Sequence, residues 1–255
     1  MFNFSTDGIL LRKIEYGDYD FIITYFTRSM GKIIVIAKNA KKSVKRFAGS
    51  LDLFSVMNIQ CVIPKRKNSF PVLFNVDLDN SFTKIRTNTI KTGYASYWVE
   101  LINSWMKQGK KQIDVYNLLL YVLDALNSGI IKKEVLSLLF QIKFMSISGF
   151  TPNIICCGKC LTPLDKIMQQ NILFDLIEGK LVCDKCKKNK KNGIIVSKGT
   201  LKQLFWINNK NIKKSEIIKF PDFAIKEGEK LLESFIPCHL EKEIKSLIFL
   251  KRIRK

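Results

Sequence analysis

The chain has 255 residues, and its 43 Lys and Arg against 22 Asp and Glu give a formal charge of +21 at pH 7. That length supports a sizeable core and more than one domain, and a hydrophobic fraction of 47% with 18 Phe excludes a mainly disordered chain. The charge calls for nucleic acid or an anionic membrane surface as partner, unless it reflects only a bias toward Lys, Ile and Asn.

The first 80 residues predict β structure. GILLRKIEY, FIITYFT, GKIIVIAKN, SLDLFSVMNIQCVI and FPVLFNVDL are short apolar runs separated by turn-type residues. Five such strands predict a small closed barrel or sandwich, and the OB-fold is the five-stranded barrel that fits. After GKIIVI comes AKNAKKSVKRF, which holds no acid. Its Lys38, Lys41, Lys42, Lys45 and Arg46, with Lys65, Arg66 and Lys67 of the PKRKN turn, are candidate contacts to a polyanion such as nucleic acid, against a solvated charge run as the alternative. An OB groove combines such cations with aromatics on which bases stack. Tyr25, Phe47 and Phe70 are nearby in sequence, although most barrel aromatics are expected in the core. Asp18 and Asp20 are assigned to a turn.

From about Asn80 the apolar period becomes helical. Three antiparallel helices are predicted around Tyr94–Trp105, Val115–Leu126 and Val135–Met145, with Gly109 and Gly129 between them and Gly149 at a C-cap. Helical patterns resume from Ser197 as three or four short helices, with breaks at Pro221 and Pro237. The expected architecture is a multi-domain α+β protein. An OB-fold barrel occupies residues 1–80, a helical domain residues 81–151 and 194–255, and a zinc-binding module residues 152–193.

The strongest local signal is CCGKC followed by CDKC. Cys157, Cys160, Cys183 and Cys186 form two C-x2-C knuckles, and four soft donors in two pairs suit one structural, tetrahedral Zn2+. Lys159, Lys180 and Lys185 are expected to favour the thiolates. A redox C-x-x-C or unrelated buried thiols are the competing readings. Cys156 offers a substitute for Cys157, while Cys61 and Cys238 read as isolated core thiols.

Catalytic signals are sparse. His239 is the single histidine, and the phosphate-binding, dinucleotide-binding and H-E-x-x-H motifs do not occur. A non-enzyme is the expectation. The N-terminus lacks a secretory pattern, and IDVYNLLLYVLDAL is short and holds two Asp, so a cytoplasmic protein outside the membrane is expected.

In order, these pieces resemble the RecO family of bacterial recombination mediators across nearly the whole chain. The matching residues are Tyr16, Gly17, Asp18 and Asp20, then Thr27, Gly31 and Lys32, then Ala37, Lys38, Ala40, Lys41 and Lys42. SLDLF, YWVEL, GFTPNIICCGKC and IKSLIFL follow. Counting from Pro152 in that pattern makes Cys157 the first metal ligand. Asn39 stands where the family has Gly, and Lys41 and Lys42 where it has Arg. The resemblance implies a non-catalytic DNA-repair protein that binds single- and double-stranded DNA and anneals complementary strands. It implies contact with the acidic tail of the single-strand binding protein SSB, and action with RecR to help RecA replace SSB at gaps. It implies residence in the cytoplasm, on the nucleoid when active. A zinc-ribbon RNA-binding or transcription-associated module is the alternative.

Overall fold

The computed structural model describes residues 2–43, 46–47, 49–66, 69–187, 193–209 and 220–254. By packing, the chain divides into two compact units, Met1–Ser128 and Gly129–Ile253.

The first unit opens with β1 (Phe2–Tyr16), β2 (Asp20–Thr27), β3 (Gly31–Ala37), β4 (Val56–Ile63) and β5 (Val72–Asn80). They form a closed barrel in the order β1-β2-β3-β5-β4, the five-stranded OB-like barrel expected. Closure depends on the length of β1. Its C-terminal half, from Gly8, pairs with β2, while Phe2–Ile9 pairs with β4. Sequence periodicity starts this strand at Gly8. The preceding FNFSTD carries a weak local pattern and becomes a strand through long-range pairing with β4. Conversely, β4 starts only at Val56; Phe54, in the connection before it, is buried at φ 73°.

Leu10, Ile23, Tyr25, Val35, Met57, Ile59 and Leu73 fill the barrel. Burying one such side chain contributes about 1.5–3 kcal/mol. Ala40 and Phe47 of the basic loop join this core, so apolar anchors tie the loop to the barrel. The helices α1 (Thr83–Arg86), α2 (Thr89–Trp105) and α3 (Ile113–Ser128) complete the unit. The Asn88 side chain caps α2 by accepting from the Lys91 N–H at 3.0 Å. Lys32 on β3 donates to the Asn103 carbonyl at 2.6 Å, and its own carbonyl accepts from the Gly109 N–H at 2.9 Å. The Gly-Lys pair thus fastens the barrel to the segment leaving α2.

The second unit begins with α4 (Lys133–Ile147). A four-stranded sheet follows, formed by β6 (Asn153–Cys157), β7 (Asn171–Asp175), β8 (Lys180–Val182) and β9 (Gly193–Ser197) in the order β6-β8-β7-β9. A hairpin of β7 and β8 lies between the two cysteine knuckles. Periodicity does not predict β9 as a strand: its short GIIVS run abuts the helical pattern, and pairing with β7 decides its state. Among the described residues the unit continues with α5 (Lys198–Asn209), α6 (Asp222–Leu240) and α7 (Lys245–Ile253). Pro221 stands at the N-cap of α6 as a boundary, whereas Pro237 lies inside α6 and does not break it. It sits in the final turn, where a missing N–H costs one helical bond, and the chain leaves through Glu241 at φ 53°. Among the described residues no helix is long and apolar enough to cross a membrane.

Candidate nucleic-acid interface and metal centre

Strand register brings three loops to one end of the barrel. Phe21 pairs with Ala37, which places the β1–β2 turn beside the start of the basic loop. Ile36 pairs with Val72, and Val72 with Val62, which brings the β4–β5 connection to the same end. Lys38, Lys42 and Arg46 are exposed there, as are Lys65, Arg66 and Phe70. Lys45 and Lys67 lie outside the described residues.

The basic loop is held by the turn beside it. Asp20 accepts from the Asn39 N–H at 2.8 Å, and the Tyr19 carbonyl from the Lys41 N–H at 3.0 Å. Asn39 adopts φ 56°, the left-handed conformation that Asn tolerates better than most residues. The turn role expected of Asp20 is therefore specific: it caps the basic loop. Lys41 is exposed too, but its ammonium pairs with Glu15 at 2.8 Å. That hydrogen bond and charge hold the Glu15 carboxyl below its ordinary value. Arg46 donates to the Lys38 carbonyl at 3.0 Å and lies over the Phe47 ring.

Aromatic placement departs from sequence proximity. Tyr25 and Phe47 are core residues, and the Tyr25 hydroxyl is spent on the Met57 sulfur at 3.3 Å. Tyr16 and Tyr19, at 53% and 42% exposure, are the aromatic surface of the turn instead. The Lys42 ammonium lies 3.5 Å from the Tyr19 ring centroid. Sequence proximity missed both tyrosines; their position in a turn between strands was the available signal, because turn side chains escape the barrel interior.

In the second unit the sulfur atoms of Cys157, Cys160, Cys183 and Cys186 lie within 4.8 Å of one another. A tetrahedron with metal–sulfur bonds of about 2.3 Å has edges of about 3.8 Å, so this gathering fits one ion. Among the described residues it is the one group of metal-ligand side chains so assembled, and Cys156 is outside it. Each knuckle is a backbone turn: the Leu161 N–H donates to the Cys157 carbonyl at 3.0 Å, and the Cys186 N–H to the Cys183 carbonyl at 2.9 Å. The Cys183 N–H also reaches the Cys157 sulfur at 3.5 Å.

The Thr162 hydroxyl, 3.2 Å away, then the Thr162 amide and the neighbouring thiols hold the Cys160 thiol down at about 6. Burial pushes the Cys157 thiol up, but the amides of Cys183, Cys160 and Lys159 outweigh it and leave it below its ordinary value. Burial raises Cys183 and takes Cys186 to about 12. Hydrogen bonds lower the Cys160 and Cys157 thiols, and Lys159 contributes there through its backbone amide.

Comparison with known proteins agrees with this arrangement. Residues 1–82 match the family model described as Recombination protein O N terminal, and residues 86–248 match Recombination protein O C terminal. The chain is 38% identical over 251 residues to a DNA repair protein RecO of Desulfatibacillum aliphaticivorans, covering 98% of this chain and 97% of the relative. It is 36% identical to a protein of the same name from Desulfosudis oleivorans, covering 98% of each. A third, from Syntrophus aciditrophicus, is 30% identical, covering 98% of this chain and 96% of the relative. With both family models matched in order across the barrel and the cysteine-bearing unit, the chain belongs to the RecO family of DNA repair and recombination proteins.

Proposed function

We propose that this protein is a non-catalytic DNA-binding recombination mediator. It binds single- and double-stranded DNA, anneals complementary strands, and acts with RecR to help RecA displace SSB at gaps, engaging the SSB C-terminal tail. It works in the cytoplasm, at the nucleoid when active. The observation that carries this reading is the convergence of the β1–β2 turn, the basic loop and the β4–β5 connection at one barrel end.

Lys38, Lys42, Arg46, Lys65 and Arg66 follow the phosphates, while Lys45 and Lys67 lie in the same two segments by sequence. Tyr16, Tyr19 and Phe70 offer faces to unpaired bases. Lys42 over Tyr19 places a cation and a stacking surface within one nucleotide's reach. Lysine in place of a guanidinium gives charge without a planar fork, which suits backbone contact more than base-edge reading. The four cysteines hold one Zn2+ whose role is structural, because four thiolates leave no open coordination position.

The test is annealing of complementary strands coated with SSB, with and without RecR and across a salt series. Accelerated annealing that falls as salt rises is the expected result. Base-specific RNA binding without annealing would replace this reading, and annealing that is indifferent to removal of the SSB tail would remove the tail contact from it.

A further inference from the structure

The opposite end of the barrel carries the reverse charge. Asp7 on β1 pairs with Asn58 on β4, and Asn58 pairs with Asp77 on β5, giving one polar row across three adjacent strands. Asp79 lies two residues along β5. With Arg28, Val56, Met57 and Leu78, and with Tyr116, Asn117 and Leu120 of α3, these residues line a cavity of about 550 Å³. Three carboxylates against one guanidinium is an exception in a chain of net charge +21.

Asp77 and Asp79 are exposed, and among the described residues the cluster makes few internal polar contacts. Asn58 donates to Asp7 at 3.0 Å and Arg28 approaches Asp7 at 4.0 Å, while Asp77 receives only a 3.4 Å contact from Asn75. Independently, Tyr116 is 2% exposed and lines the cavity, yet among the described residues its hydroxyl has no hydrogen-bond partner. Burial, then the nearby Asp7, pushes that phenol up to about 12 against the opposing Arg28 charge, which keeps it a neutral donor and acceptor. The phenol oxygen is thus the polar end of an otherwise buried side chain, open to the acidic cavity and available to a ligand.

The cavity is not built for a metal ion. Among the described residues the cysteines alone gather tightly enough to share one, so these carboxylates stand too far apart. Spread acceptors above apolar walls match a flat cation with several donors, and a guanidinium supplies five in a plane. A cavity of this volume accommodates a whole side chain with its stem along Leu120.

We propose that this acidic cavity is a docking pocket for an arginine side chain presented by a protein partner. Asp77 and Asp79 take the guanidinium, the Tyr116 hydroxyl accepts one further N–H, and Arg28 competes for Asp7. The site lies at the end of the barrel away from the basic loops, so it stands or falls separately from the DNA reading.

The test titrates the 15N-labelled full chain with Nα-acetyl-arginine methylamide, with the corresponding lysine derivative and with magnesium chloride, all at equal ionic strength. The arginine derivative should saturably shift the amides of Asp77, Asp79, Tyr116 and Asn117. The lysine derivative should bind several-fold more weakly. Asp77→Asn with Asp79→Asn should weaken arginine binding at least tenfold, Tyr116→Phe by about threefold, while Arg28→Gln strengthens it. Should the double variant fail to fold, exposed Asp79→Asn alone is read, with a several-fold loss expected. No saturable shift at these amides, a shift that survives the Asp→Asn changes, or magnesium producing the same shifts at lower concentration would each overturn the assignment. Single-strand affinity should stay unchanged throughout the Asp→Asn series.

Discussion

The backbone carbonyl of Lys110 occupies the space where a side chain at Gly31 would begin. Gly31 also adopts φ 69°, so both conformation and contact require glycine there. Gly31→Ala should destabilise the protein by about 2–4 kcal/mol, combining an overpacking cost with a left-handed backbone penalty. Gly17 has φ 56° but open space around it, so Gly17→Ala should cost only about 1–2 kcal/mol. Urea unfolding of the two variants separates the contact from the conformation.

The cations of the basic loop should not be equivalent on DNA. Each phosphate contact on a single strand contributes about 0.7 to the log–log salt slope. Lys42→Ala should reduce the slope by about that amount. Lys41→Ala should change it less, because Glu15 already neutralises Lys41. Glu15→Gln should raise affinity and steepen the slope by releasing that lysine. Equal slopes for all three variants would contradict the assignment, and fluorescence anisotropy across a salt series reads it directly.

Stacking should separate from charge. Tyr16→Ala and Tyr19→Ala should each weaken single-strand binding by about 1–3 kcal/mol while leaving the salt slope nearly intact. Tyr25→Ala should instead unfold the barrel, by about 3–5 kcal/mol as for other large core truncations. Circular dichroism and binding, measured on the same samples, distinguish the two classes.

The cysteine cluster should bind one zinc per chain by elemental analysis. Cys160→Ser or Cys183→Ser should lose it, and Cys156→Ser should retain it. Ligation replaces thiol protons, so zinc affinity should fall as pH falls, and below about 6 the Cys160 thiol is protonated as well. A pH-independent affinity would exclude thiolate ligation.

Acid should loosen α5 early. Glu227 accepts from the Ser197 N–H at 3.0 Å, the Ser197 hydroxyl at 2.6 Å and the Thr200 hydroxyl at 2.6 Å, all at the helix N-terminus. Burial opposes ionisation there, but these bonds prevail and the carboxyl lies below 4.5. Its stabilisation is therefore complete above that value and is lost as pH falls through the lower folded value. Glu227→Ala should cost about 1–3 kcal/mol at neutral pH and flatten this acid dependence, as read by unfolding at a series of pH values.

The sequence by itself determined the features that short-range chemistry encodes. The β period of FIITYFT and GKIIVI, the change to helical spacing after Asn80 and the two cysteine knuckles are local patterns. Tertiary structure alone decided which of these groups remain available. Lys41 reads as a free cation until Glu15, 26 positions away, meets it across the hairpin. Tyr25 and Tyr19 are both aromatic residues near the basic loop, but strand pairing points one into the core and leaves the other in solvent. The acidic row of Asp7, Asn58 and Asp77 exists only because β1, β4 and β5 are neighbours in the closed barrel. Such pairings join residues remote in sequence, and their energy comes from burial and register, which periodicity within a single segment does not carry.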